Sequence, residues 1–467
     1  MIMLSIRWKI GKKGIVLCIL ASAVALSACS SGSNTPAAGS ASGSQSAEQG
    51  SGESSSGSNV ITVSVVTSNR LLELAKEKYE AANPGVTIEL KQSYETPKPQ
   101  GGAMAPSRPV GYDPAAVEKH VTTVNTELMN GNAADLIMVD SLAYTKYADK
   151  NLLVDLQSYM TEEKGFNDED YYMNIFDALK YKDGLYAIAP NVVPDIWFGN
   201  KKRIIDLDLD PNSWTWAQFS EKLGELAKQG EDPVVQYVVP EYFTSERVGE
   251  NIDKFMNLNE KKASFDSPEF IGLLNEIKSY YDNGILQEPE SYGTRSGKAG
   301  ESLNLKEAFV KSKLQRFESL NFGKMLFADP QVFMPPIEDG GKGNSFRVGM
   351  LLAMNEKSNN KDKAWDFLKF LLSEEMQSEQ DLQGLPVNKK TAETQIRALE
   401  TAGENKLSTE EVAKAKEIIP QLARYGGIEP KINDLVMEET VLFFKGEKTA
   451  EDVAKTLQNK ITLYMEE

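Results

Sequence analysis

An α/β fold is expected from three features of the sequence. A strand, a helix and a strand follow one another within roughly thirty residues from Val60, a short apolar run at 135–140 ends in a carboxylate, and strands alternate with capped helices through the first half. Val60 to Val66 alternates and is β-branched, which favours a strand. Ser68 or Asn69 can then cap a helix whose apolar face is Leu71, Leu74, Ala75, Tyr79 and Ala82. Asn83-Pro84-Gly85 stops that helix, and Val86 to Leu90 resumes as a strand, giving a parallel βαβ unit.

Tyr94 to Pro114 carries five prolines and three glycines, so it reads as a long loop or lid. Helical spacing returns from Val117 to Met129, and Asp135-Leu136-Ile137-Met138-Val139-Asp140 looks like a buried parallel strand. Ligands of open α/β sheets sit beyond the carboxyl ends of strands, which puts Asp140 and the Ser68-Asn69 turn where binding residues belong.

A turn at Asp183-Gly184 leads to a strand and on to Asp195-Ile196-Trp197-Phe198. Thr215 and Gln218 fit a capping box for a helix through Phe219, Leu223 and Leu226. Ser267-Pro268 starts another, with the stripe Phe270, Leu273, Leu274, Ile277 and Tyr281, and Gly284 ends it. Arg347 to Met354 reads as one strand, and Ala364, Trp365, Phe367, Leu368, Leu371 and Leu372 form a wide helix face. Two C-terminal helices begin at Ser408-x-x-Glu411 and Thr449-x-x-Asp452, so the second half is richer in helix.

The first sixty residues obey different rules. Arg7, Lys9, Lys12 and Lys13 precede an apolar run from Gly14 to Ala28, the pattern of a secretory signal occupying 1–28. That run is shorter than the roughly 20 residues a spanning helix needs. Leu26-Ser27-Ala28-Cys29 is similar to the lipobox of bacterial lipoproteins, which implies Cys29 as the lipid attachment point. The remainder of 29–59 is almost wholly Ser, Gly, Ala, Gln and Asn, too poor in apolar surface to offset chain entropy, and reads as a flexible tether.

Charge and composition exclude several functions. Removing the four leader cations takes the formal charge from −17 to −21, a surface that repels phosphate backbones, so no nucleic acid is expected as partner. Cys18 and Cys29 are the only cysteines, which leaves a processed chain without a thiol for catalysis. A single histidine, His120, is expected on a solvated helix face, and one histidine cannot build a Ser-His-Asp triad or a His-cluster metal site. Gly293 to Ala299 lacks the spacing and the hydroxyl of a phosphate loop. No metal or cofactor is called for.

Four separated stretches then resemble, in order, the extracellular solute-binding proteins of bacterial ABC importers, in particular the family containing the maltose- and oligosaccharide-binding proteins. They are the βαβ opening with Asn83-Pro84-Gly85-Val86; Gly131-Asn132-Ala133-Ala134-Asp135-Leu136-Ile137, where the family commonly has Pro before the Asp; Lys182 to Ile188, leading to Asn200-Lys201 and Thr215-Trp216; and Ser358 to Ser373 continued by Leu385-Pro386-Val387-Asn388. The resemblance implies a two-lobed periplasmic-binding-protein-like fold (type II) with a hinge and an interlobe ligand cleft. Lobe one would take 60–189 and 346–385, and lobe two 190–345 and 386–467. It implies a monomeric receptor, lipid-anchored on the extracellular face of the membrane, that delivers a solute to the permease subunits by closing around it.

A sugar offers hydroxyls and an apolar ring face, so carboxylates, amides and flat aromatics are the residues to look for. Asp195 and Trp197, two apart after an expected lobe crossing, suit both tasks; Asp140, Asn69, Tyr242, Phe243 and Tyr292 complete the candidate set. Trp216, Trp365 and the Tyr171-Tyr172 pair are expected to pack. Two alternatives are a non-sugar solute in the same fold and a surface glycosidase working through two carboxylates.

Overall fold

The opening unit forms as its alternation dictates. β1 (Val60–Val65) is followed by α1 (Arg70–Ala82), capped by Asn69, whose side-chain oxygen accepts from the Leu72 amide at 2.9 Å. Gly85 takes a φ of 93°, turning the chain into β2 (Thr87–Gln92), which pairs in parallel with β1, Val60 opposite Thr87. After α2 (Pro114–Asn130), β3 (Leu136–Met138) adds in parallel to the other edge of β1, Val63 opposite Leu136. The switch in winding direction therefore lies between β1 and β3. Asp135 pins this corner: its carboxylate accepts from the Thr62 amide at 2.8 Å, the Thr62 hydroxyl at 2.9 Å and the Ser358 hydroxyl at 2.6 Å. The structure is a computed structural model describing residues 58–94, 114–230, 232–237, 239–288, 303–403 and 406–466. Cys29, the signal, the tether, Tyr292 and nearly all of the Pro-rich segment lie outside the described residues.

The chain continues through α3 (Tyr144–Asp149) and α4 (Met173–Ala178) to β4 (Asn191–Asn200), ten residues with only Asp195 and Asn200 partly exposed. Next come β5 (Val235–Gln236), α5 (Pro240–Glu250), α6 (Pro268–Asp282), β6 (Leu286–Gln287), β7 (Phe309–Lys313), β8 (Pro330–Phe333) and β9 (Asn344–Arg347). The remainder is β10 (Leu352–Met354), α7 (Lys361–Leu372), β11 (Leu385–Pro386), α8 (Lys389–Leu399), α9 (Thr409–Ile418), β12 (Leu422–Tyr425), α10 (Pro430–Phe444) and α11 (Ala450–Glu466). One sheet has the order β10-β3-β1-β2; the other runs β12-β9-β4-β7-β5-β6, with β8 and β11 also on β4.

Arg347 to Met354 is not one strand. β9 ends at Arg347 against Val193 in the second sheet, and β10 starts at Leu352 against Met138 in the first. Gly349 lies between them, and its amide donates to Asn191 at 3.0 Å, so close that a Cβ there would meet the Asn191 amide nitrogen at 2.7 Å. A side chain would block the crossing.

Two apolar cores result. The first is built on Ile61, Val63, Leu136, Ile137, Leu352 and Trp365, and the second on Trp197, Trp214, Phe219, Phe309, Phe270 and Leu457. Buried residues from Val387 to Leu422 belong to the first, and those from Ile432 to Met465 to the second. The Thr215–Gln218 and Ser408–Glu411 capping boxes are both present. Tyr280 rather than Tyr281 is the fully buried tyrosine of α6. His120 is a clear correction: it is fully buried, its ring nitrogens meeting the Ser93 hydroxyl at 2.9 Å and the Met138 carbonyl at 3.1 Å. It shares the buried i, i+4 stripe Ala116, His120, Val124, Leu128, and burial lowers its pKa.

Candidate functional site

Strand ends from both sheets and one face of α5 meet where the two cores adjoin. From β4 comes Asp195 and from β7 comes Lys311, whose ammonium lies 3.0 Å from Asp195 and 3.0 Å from Glu246 of α5. The Lys311 and Glu246 side chains are 6% and 4% exposed, so water does little to screen this triad. Tyr237 donates its hydroxyl to the same Glu246 carboxylate. Burial opposes the Lys311 charge, yet Asp195 and Glu246 more than reverse it and its pKa stands well above the ordinary value. Arg347, at the end of β9, reaches to 3.9 Å from Glu246. Glu250, one turn beyond Glu246, lines with Val193, Asp195, Ser345, Phe346, Arg347 and Gly426 a narrow crevice of about 10 Å³. Loss of hydration pushes Glu250 up to about 7.

Asp140 lies just past β3 in the other sheet, and its link to this cluster runs through Tyr425. Its residue surface is exposed, yet loss of hydration pushes its carboxyl up to about 6. Tyr425, at the end of β12, senses Asp140, Tyr144 and Arg347 electrostatically, which ties both sides of the seam together. Farther along, Lys146 of α3 donates to the Tyr464 carbonyl at 2.8 Å and lies 3.9 Å from that ring's centre, while the Tyr181 hydroxyl donates to the Leu258 carbonyl at 3.3 Å.

Of the residues proposed from sequence, Asp195 and Tyr242 come together here, Tyr242 through its electrostatic contact with Arg347, while Asp140 neighbours Tyr425. Asn69 sits at the end of β1 with its side-chain oxygen engaged as the α1 cap. Trp197 and Phe243 are each 1% exposed and lie inside the second core. Trp214, Phe219 and Phe309 close around the Trp197 ring at 5.8–6.0 Å between centroids, covering the face that a sugar would need. Lys311, Glu246, Glu250, Arg347 and Tyr425 were missed. The spacing Tyr242, Glu246, Glu250 was a usable signal, since residues four apart share a helix face and Phe243 falls on another.

A more open cavity of about 540 Å³ lies at the other ends of β9 and β12, lined by Asn174, Asn212, Asn344 and Gln421 among others. Asn174 donates to the Ile419 and Leu422 carbonyls and Asn344 to that of Pro335, whereas the Gln421 Oε1 is buried without a hydrogen-bond partner. Convergent charged groups single out the narrower cavity instead. Among the described residues no group of His, Cys, Asp and Glu could hold a metal ion, and no helix is long and apolar enough to cross a membrane.

The sequence signature of the bacterial extracellular solute-binding proteins matches residues 66–378. The chain belongs to this family. Solute-binding proteins of this kind bind without turnover, so the chain is a binding protein and not an enzyme. Its fold is similar to the sugar-binding protein MalE from Xanthomonas citri (15% identity, 87% of this chain and 97% of that one, TM-score 0.60). It is also similar to a periplasmic oligogalacturonide-binding protein from Yersinia enterocolitica (15%, 87% and 99%, 0.58). A third is an ABC substrate-binding protein from Listeria monocytogenes in complex with cycloalternan (17%, 87% and 99%, 0.56). At these identities the likeness concerns the fold. No curated protein sequence matches the chain.

Proposed function

We propose that this solute-binding protein is a monomeric, lipid-anchored receptor that takes an oligosaccharide into the seam between the cores and presents it to an ABC permease by closing two lobes over it. Cys29 carries the lipid and 30–59 the tether; 60–189 with 346–385 form lobe one, and 190–345 with 386–467 lobe two, except that 387–422 packs into the core of lobe one. The observation that carries this reading is the meeting of Asp195, Glu250 and Arg347 at one narrow crevice, with Tyr425 sensing both Arg347 and Asp140 of the other sheet. Carboxylates and a guanidinium are the groups that bind sugar hydroxyls, and contacts from both lobes favour the closed form. Tyr242 and Tyr425 supply the aromatic surface beside that cluster in this reading, with Asn69 and Tyr292 as further contacts. Three fold neighbours are described by the saccharides they bind, in keeping with a sugar here.

The test is thermal unfolding of the purified protein against neutral, amino and acidic oligosaccharides. A ligand present at about 100 times its dissociation constant stabilises the folded state by roughly 2.7 kcal/mol. A shift confined to one sugar class, and lost in Asp140→Ala and Arg347→Ala, is expected. No shift with any saccharide would end the carbohydrate reading and leave family membership intact.

A further inference from the structure

Two buried side-chain amides stand where the chain passes between the sheets. Asn191, the first residue of β4, is 2% exposed. Its Oδ1 accepts from the Gly349 amide at 3.0 Å, its Nδ2 donates to the Leu382 carbonyl, and its backbone pairs with Pro386 of β11. The backbones of Gly349 and Gly384 both close on it: a Cβ at Gly349 would lie 2.7 Å from the Asn191 Nδ2, and one at Gly384 would lie 2.9 Å from the Asn191 Cβ. The second amide is Gln377, fully buried. Its Nε2 donates to the Pro190 carbonyl at 2.7 Å and the Leu371 carbonyl at 3.0 Å, and its Oε1 accepts from the amides of Val387 at 2.8 Å and Asn388 at 3.3 Å.

These bonds separate what is fixed from what can turn. Gln377 ties Pro190 and Val387 to Leu371 of α7, and Leu371 and Val387 are both buried in the first core. Val193 is already paired with Arg347 in the second sheet, whereas Leu352 is paired with Met138 in the first. The passages between the sheets therefore fall at 191–192 and 348–351, and Asn191 bonds across both while also holding the 382–386 segment. A rotation that broke either Asn191 bond would strand a buried amide or carbonyl, so the segments turn together about this side chain. Resting on the two-lobe reading, we propose that Asn191 is the hinge pin of the receptor. It is a positioning residue, acting on solute binding only through closure, that makes the three segments joining the lobes move as one.

The experiment is double electron–electron resonance on the full-length protein in detergent. Nitroxides on p-acetylphenylalanine in place of Lys119 of α2 and Glu269 of α6, both exposed and one in each lobe, report the lobe separation without touching a cysteine. Wild type should give one narrow distance, and Asn191→Ala a distribution about twofold broader or more, because separations that the bonds keep rare become populated. Asn191→Asp keeps the shape and the acceptor for Gly349, but its carboxylate has no proton to give the Leu382 carbonyl. It should broaden too, and it decides the outcome if the alanine variant does not fold. Asn355→Ala is the matched control: Asn355 is 3% exposed, donates to the Ala133 carbonyl at 3.0 Å and accepts from the Lys357 amide at 3.0 Å, all within lobe one. Its distance should stay narrow. Maltotriose, cellotriose and galactotriose, added to the same samples, test closure separately. A sugar that shortens the wild-type distance, with both Asn191 variants as narrow as wild type, overturns the pin and leaves the receptor reading standing. Asn355→Ala as broad as the Asn191 variants also overturns the pin, since any lost buried amide would then suffice. Broadened Asn191 variants with every sugar silent keep the pin and count against the carbohydrate reading; distances unmoved by every variant and every sugar overturn both the pin and the closing lobes.

Discussion

Replacing Lys311 by methionine removes the one cation that lies at 3.0 Å from both Asp195 and Glu246. The Lys311 and Glu246 side chains are almost fully buried, so no allowance for solvent screening is needed, and breaking such a pair costs about 3–5 kcal/mol. Arg347 is too far from Glu246, at 3.9 Å, to replace the lost contact. With a urea slope of roughly 3 kcal/mol/M or more for a chain of this size, the midpoint should fall by about 1 M. Part of the loss should return in Lys311→Met/Glu246→Gln. Tryptophan fluorescence is a suitable probe, because Trp197, Trp214 and Trp216 sit in the second core while Trp365 reports separately on the first. A loss under about 1 kcal/mol at pH 8, or no recovery in the double variant, would refute the reading of Lys311 as the counter-ion of the site floor.

Three further outcomes are expected. Asp135→Ala removes the acceptor of three hydrogen bonds of 2.6–2.9 Å between β1, β3 and the Ser358 loop, and should lower stability by about 3 kcal/mol or more in the Trp365 signal. The raised pKa of Glu250 means that ionising it opposes folding: wild type should lose stability as pH rises from its ordinary value of 4.5 through about 7. Glu250→Gln should therefore be more stable than wild type at pH 8, by about 1–3 kcal/mol, and no more stable near pH 4, as denaturation at the two pH values will tell. Lys146→Met removes the bond to the Tyr464 carbonyl across the seam, and stopped-flow release should show a bound solute leaving about threefold to tenfold faster, with little change in unfolding midpoint.

Much of the fold was legible because its signals are local. The alternation of Val60–Val65, the Asn69 cap and the glycine turn at Gly85 each act over a few residues, and together they place β1 and β2 side by side. Asp140 was found by the same route, since a short apolar strand announces its own end. The strand expected from Arg347 to Met354 failed because apolar pattern cannot reveal that a chain changes sheets; that depends on Gly349 meeting Asn191, 158 residues away. The site was legible only in part for the same reason. Lys311, Glu246 and Arg347 are unremarkable in their own stretches of sequence, and only the pairing of β7 and β9 with β4 assembles them. Trp197 shows the converse: an aromatic beside a carboxylate looks like a sugar platform until the Trp214–Phe219 segment is seen to cover it. His120 was misread although its i, i+4 relation to Ala116 and Val124 was present in the sequence, because a neighbouring Lys119 and Glu118 suggested a wet face.

The most direct test of a sugar site in the seam is to titrate the tightest-binding saccharide into wild type and three variants by calorimetry. Asp140→Ala and Arg347→Ala change the narrow cavity and its facing wall, whereas Asn212→Ala changes only the larger cavity at the opposite ends of β9 and β12. One saturable site, weakened about tenfold or more by each of the first two changes and unmoved by the third, is expected. Binding retained in Asp140→Ala and Arg347→Ala but lost in Asn212→Ala would contradict it and move the site to the other end of the strands.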